Sequence, residues 1–140
     1  MPTDPPQRRS TKQRDAIERA IHDAARPLSA HEILELASTE VGTLSLATVY
    51  RTIRLLLDDR DITQVDIPGE SVRYEPAGLE HHHHFHCISC DRTIDLEGCP
   101  LDVEAIAPKG FDVTKHEITL FGTCDRCTGA RDKKKMPRER

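Results

Sequence analysis

The chain has 140 residues, no Trp, 36% hydrophobic and 31% charged residues, and a formal net charge of −4. That is enough for one domain or two small ones with a modest core. The absence of a long apolar run or a signal-peptide pattern excludes a membrane span and points to the cytoplasm.

The charge is unevenly spread. Residues 1–60 carry nine Lys/Arg against nine Asp/Glu, residues 61–127 five against thirteen, and residues 128–140 six against two. The acidic second half suits cations and disfavours contact with nucleic acid, so any DNA contact is expected from the first half.

Residues 1–9 hold three prolines without apolar periodicity and read as a flexible arm. Arg8, Arg9, Lys12 and Arg14 form a small basic cluster around its end. Ser10 to Gln13 has the form of a capping box, and Ala16, Ile17, Ala20, Ile21 and Ala24 repeat at helical spacing, predicting an amphipathic helix over 11–24. Ser29 to Glu32 is a second capping box, opening a helix over 30–38 with Ile33, Leu34 and Ala37 inward. Ser45 can cap a third helix, 46–59, striped by Leu46, Val49, Ile53, Leu56 and Leu57. Its other face, Ala47, Thr48, Arg51 and Thr52, is small, polar and cationic, as a helix entering a major groove requires. Residues 62–66 and 71–75 read as two strands around Pro68-Gly69. A hairpin directly after a helix-turn-helix is a wing, which strengthens the DNA-binding reading.

Pro76 and Gly78 mark a hinge over 77–80. The run from His81 to Cys90 then carries five of the eight histidines and two of the five cysteines. Cys87-x-x-Cys90 and Cys124-x-x-Cys127 have the spacing of a tetrahedral four-thiolate zinc site; disulfides or free thiols are the weaker alternative. That site is full without the histidines. If residues 81–86 form a strand, His82 and His84 share one face, with room for His86 at its end, and His81 and His83 share the other. One strand could then serve two metal sites. Beyond the first cysteine pair, residues 93–96 read as a strand. A helix is predicted from Pro100 to about Ala107, and a long strand from Phe111 to Phe121. Residues 128–140 read as a disordered, lysine-rich tail.

The segment Leu46-Ala47-Thr48-Val49-Tyr50-Arg51-Thr52, the histidine run and the two Cys-x-x-Cys pairs together resemble the ferric-uptake-regulator (Fur) family of bacterial metalloregulators. The resemblance implies an α+β chain: a winged helix-turn-helix DNA-binding domain over 1–76, and an α/β dimerisation domain over 81–127 with a four-cysteine structural zinc site. It further implies a homodimeric, metal-activated transcriptional repressor of iron- or zinc-uptake genes that binds an inverted-repeat operator. By the same resemblance, Cys87, Cys90, Cys124 and Cys127 hold structural zinc, and Glu75, His82, His84 and Asp95 form a sensor site. His81, His83 and His116 form a second site, completed by Cys99 or Asp102 depending on the alignment. Arg14, Ser45, Thr48, Tyr50 and Arg51 are candidate DNA contacts. The second metal would be Zn(II), Fe(II) or Mn(II). The chain departs from the family pattern at Pro27, where many members have a ligand histidine; His31 is the nearest substitute and equally a bystander. A relative that senses peroxide through Fe(II)-driven histidine oxidation is the alternative function. An enzyme is disfavoured, because no nucleophile, paired general base or phosphate loop accompanies the histidines. A metal buffer would have no use for a winged helix.

Overall fold

The computed structural model describes residues 6–131 and divides the chain into two compact units, with the boundary between Leu79 and Glu80. None of the described helices is long and apolar enough to cross a membrane.

The first unit runs α1 (Pro6–Asp23), β1 (Leu28–Ser29), α2 (Ala30–Ala37), α3 (Leu46–Asp58), β2 (Ile62–Val65) and β3 (Arg73–Pro76). Its core is the apolar stripe of each helix: Ile17 and Ile21 of α1, Ile33 and Ala37 of α2, and Val49, Ile53 and Leu56 of α3, closed by Leu28, Ile62 and Tyr74. The α2 capping box forms as expected. Ser29 Oγ accepts the Glu32 N–H at 3.2 Å, and Glu32 Oε1 accepts the Ser29 N–H at 3.2 Å. Ser45 caps α3 by accepting the Thr48 N–H. The wing turns where Glu70 N–H bonds Ile67 C=O, with Pro68 and Gly69 at the corner and Gly69 at φ +79°. A corner with positive φ at its third residue takes glycine without steric cost. β3 is the middle strand, antiparallel to both β2 and β1.

Three expectations change in this unit. Helix α1 begins at Pro6, not at residue 11, so residues 6–9 are helix rather than arm and Ser10 is no cap. Proline at a helix start forfeits no hydrogen bond, and its fixed φ suits the first turn. Residues 1–5 of the expected arm lie outside the described residues. Thr52 is buried, not on the open face of α3, because it stands three residues after Val49 and four before Leu56 on the core stripe. The short strand β1, too brief to carry periodicity, was not anticipated.

The second unit contains β4 (His82–Cys87), β5 (Thr93–Glu97), α4 (Val103–Ile106), β6 (Thr119–Gly122) and α5 (Asp125–Arg131). β4 lies between β5, which is antiparallel to it, and β6, which is parallel. The long strand expected over 111–121 is reduced to 119–122. Its ladder reaches β4 only between His84 and Cys87, with His84 N–H bonding Ile118 C=O at 3.1 Å. Residues 111–117 have no strand partner among the described residues. Alternation says which residues would share a face, not that a neighbouring strand exists. The helix expected from Pro100 is a four-residue turn opening at Asp102, whose Oδ1 accepts the Ala105 N–H at 3.3 Å. Helix α5 extends to Arg131, so residues 128–131 are helix and not tail; the rest of the expected tail, 132–140, lies outside the described residues.

Candidate metal centres and nucleic-acid face

Two tight turns bring the four cysteines together. The first follows β4: Cys87 N–H bonds Arg92 C=O and Asp91 N–H bonds Cys87 C=O, both at 2.9 Å, with Asp91 at φ +64°. The second opens α5, where Cys127 N–H bonds Cys124 C=O at 3.1 Å. The four sulfurs lie within 4.8 Å of one another, and none is in a disulfide. Cys90 Sγ and Cys124 Sγ are 3.7 Å apart. In a tetrahedral thiolate site with zinc–sulfur bonds of about 2.3 Å, sulfurs stand about 3.8 Å apart. The donor set and spacing therefore fit zinc.

In the metal-free chain the surroundings favour thiolate at Cys87 and Cys124 and the thiol at Cys90 and Cys127. Burial pushes the Cys87 thiol up, but backbone N–H groups of Cys124, Cys90 and Ser89 outweigh it and bring it down to about 6. The Cys124 N–H donates to Cys87 Sγ at 3.3 Å. Hydrogen bonding to Cys124, aided by burial, pushes Cys127 up to about 12. At Cys90 the Arg92 amide favours the thiolate, but burial and the Cys87 and Cys124 sulfurs together raise it. Arg92 hydrogen-bonds Cys124 and pairs with Asp125 at 3.3 Å, tying one turn to the other. Sequence spacing found the four sulfurs but gave no sign of Arg92 or of the donating amides.

The histidines divide by strand alternation. On one face of β4, His82 Nε2 lies 3.5 Å and His84 Nε2 3.4 Å from the same atom, Asp95 Oδ1. Asp95 reaches them because β5 pairs it directly with His84. His86 continues along that strand but is engaged elsewhere. It is fully buried, with Nδ1 3.0 Å from Thr93 Oγ1 and Nε2 3.2 Å from Asp91 Oδ1, bracing the first cysteine turn. Glu75 lies on β3 in the first unit, opposite Thr63 of β2.

On the other face, His81, His83, Cys99 and His116 bring their donor atoms within 4.8 Å of one another. His81 Nε2 is 3.0 Å and Cys99 Sγ 3.3 Å from His116 Nε2. His83 is buried, and its Nε2 has no hydrogen-bond partner among the described residues. Burial, and then His81 and His116, push its imidazole below the ordinary value, which keeps it neutral and able to ligate. Of the two residues that alignment offered as a fourth ligand, Cys99 is in this cluster. Asp102 is not: its carboxylate caps α4.

On α3, Tyr50 and Arg51 are exposed. Ser45 Oγ and Thr48 Oγ1 are 3.0 Å apart, and Arg51 donates to Thr48 Oγ1 at 3.1 Å. These side chains make a polar, cationic edge at the start of the helix. Arg14, a further candidate DNA contact, pairs with Asp59, 2.9 Å away. His31 is exposed on α2.

Comparison with known proteins agrees with this architecture. The ferric uptake regulator family profile matches residues 6–121. The ferric uptake regulation protein of Bacillus subtilis (strain 168) is 32% identical over 126 residues, covering 85% of each chain. The peroxide-responsive repressor PerR of Staphylococcus epidermidis is 30% identical over 122 residues, covering 85% of this chain and 81% of that one. The structure of the Helicobacter pylori ferric uptake regulator, described as having three functional metal-binding sites, superposes with a TM-score of 0.67 at 25% identity. It covers 84% of this chain and 80% of its own.

Proposed function

This chain belongs to the ferric uptake regulator family, and on that premise we propose that it is a metal-responsive, DNA-binding repressor of metal-uptake genes, acting as a homodimer on an inverted-repeat operator. The observation that carries the metal reading is the division of β4. Its alternating histidines supply two donor clusters on opposite faces of one strand, beside a separate four-cysteine cluster. A structural role for the histidines would not require convergence on a shared carboxylate oxygen.

Each cluster has its own role in this reading. Cys87, Cys90, Cys124 and Cys127 hold structural zinc, which stabilises a small unit with few buried apolar side chains. His82, His84 and Asp95 form the sensor site, with Glu75 of the wing strand as the further ligand that the family resemblance assigns. His81, His83, Cys99 and His116 form the second site. The family resemblance puts a sensor ligand in each unit, and an ion held in that way would have the differential affinity for one arrangement that a population shift requires. Arg51, Tyr50, Thr48 and Ser45 at the exposed edge of α3 contact DNA, and the balanced charge of residues 1–60 allows that approach where the acidic second half would not. A relative named as a ferric uptake regulation protein and one named as a peroxide-responsive repressor are similarly identical to this chain, at 32% and 30%, so overall similarity does not choose the signal.

The experiment is fluorescence anisotropy with DNA from upstream of the chain's own gene, at fixed salt, using protein that carries its structural zinc. Zn(II), Mn(II) and Fe(II) are titrated separately. Metal-dependent tightening that His82→Ala abolishes supports the reading. Equal affinity with and without every metal would overturn the switch.

A further inference from the structure

The second histidine cluster differs chemically from the first. The first brings together imidazoles and a carboxylate, donors that both hard and borderline ions accept. The second contains a sulfur, Cys99, and no Asp or Glu belongs to it among the described residues. The nearby hard donor, Asp102, is occupied as the cap of α4 through its bond to the Ala105 N–H. Resting on the metalloregulator reading, we propose that Cys99 is a thiolate ligand, and that it commits the cluster of His81, His83, Cys99 and His116 to Zn(II) rather than Fe(II) or Mn(II).

The geometry supports a closed tetrahedral site. With zinc–nitrogen bonds of about 2.0 Å and a zinc–sulfur bond of about 2.3 Å, tetrahedral edges are about 3.3 Å between nitrogens and about 3.5 Å between nitrogen and sulfur. The observed edges are 3.0 Å from His81 Nε2 to His116 Nε2 and 3.3 Å from Cys99 Sγ to His116 Nε2. A few tenths of an ångström of opening would admit the ion. His83 Nε2, buried and without a hydrogen-bond partner among the described residues, is the fourth donor. An apolar or hydrogen-bonded histidine core would leave no such nitrogen. Besides His116, the Cys99 sulfur lies 3.8 Å from the Leu101 carbonyl, a contact too long to hold it away from an ion. A thiolate among three imidazoles favours zinc over Mn(II) and Fe(II) on two grounds. Sulfur is a softer ligand than the hard ions prefer, and the order of divalent affinities already places those two lowest.

The test uses full-length protein carrying one zinc per chain at the four-cysteine site, in a His82→Ala/His84→Ala background that disables the first cluster. Co(II), Zn(II) and Mn(II) are titrated into it and into the same protein with Cys99→Asp or Cys99→Ser. Circular dichroism and retention of the resident zinc report folding. Co(II) is expected to give a near-ultraviolet thiolate-to-cobalt charge-transfer band that both Cys99 variants lack. The ratio of Zn(II) to Mn(II) affinity should fall by at least about tenfold in Cys99→Asp, which supplies the hard ligand instead. Metal bound without the charge-transfer band, or an unchanged affinity ratio, would overturn the role of Cys99 alone. Failure of folded protein to bind any ion at this cluster would overturn the second site itself. DNA is absent from the experiment, so neither result depends on whether the protein regulates transcription.

Discussion

Arg14 Nη2 and Asp59 Oδ2 are 2.9 Å apart, joining the middle of α1 to the C-cap of α3. The pair spans 45 residues and is half-exposed on both sides. Arg14 thereby holds the base of the proposed DNA-reading helix, a role the basic cluster in the sequence does not suggest. A double-mutant cycle with Arg14→Ala and Asp59→Ala, measured by urea unfolding, should give a coupling below about 1 kcal/mol, as exposed pairs do. A DNA-affinity loss in Arg14→Ala that Asp59→Ala does not share would add a direct phosphate contact.

Ser45 both caps α3 and stands at its polar edge. Ser45→Ala should cost about 1 kcal/mol of stability through the lost bond to the Thr48 N–H. Ser45→Asp restores the cap, so it should recover stability while placing a negative charge where phosphate is expected. Recovered stability with DNA affinity still lost would separate the two roles; affinity recovering together with stability would argue that Ser45 acts only as a cap.

Ile53 is 2% exposed at the centre of the first core. Ile53→Ala should destabilise that unit by about 2–5 kcal/mol, the range for truncating a buried aliphatic side chain. Since the cysteines all lie in the second unit, zinc content should stay at the wild-type level. Loss of zinc alongside the unfolding would show that the two units do not fold separately.

Cys90→Ser removes one of four thiolates. The expected result is loss of tightly held zinc and of the second unit's circular dichroism, because structural zinc contributes about 10–16 kcal/mol in small domains. Chelation of the wild type should reproduce it. An unchanged second unit after chelation would make the zinc dispensable.

Zinc loading should be pH-dependent with a definite sign. In the metal-free chain Cys87 titrates at about 6 and is ionised at neutral pH, whereas Cys127, at about 12, and Cys90, shifted upward, keep their protons. Metal binding must expel at least those two, so apparent affinity falls as pH falls, by about two logarithmic units or more per pH unit near neutrality. Calorimetry in buffers of different ionisation enthalpy counts the protons. Cys87 also contributes to metal-free stability: its depressed value stabilises the fold above its ordinary 9.0, and this is lost as pH falls through about 6.

Local chemistry was legible in the residues. The three helical stripes, the Ser29 capping box, the Pro68-Gly69 corner and the two Cys-x-x-Cys turns are each encoded within a few residues, where propensity and period act directly. Alternation on β4 likewise separated His82 and His84 from His81 and His83, because the period of a strand is two. What depends on neighbours was not legible. Whether residues 111–118 form a strand is decided by the extent of pairing with β4, and Thr52 is inward because α3 packs along one stripe. The choice between Cys99 and Asp102 is decided by the turn that gives Asp102 to the α4 cap and leaves Cys99 beside His116. In each case the residue type allowed two outcomes, and the neighbours met in the fold selected one.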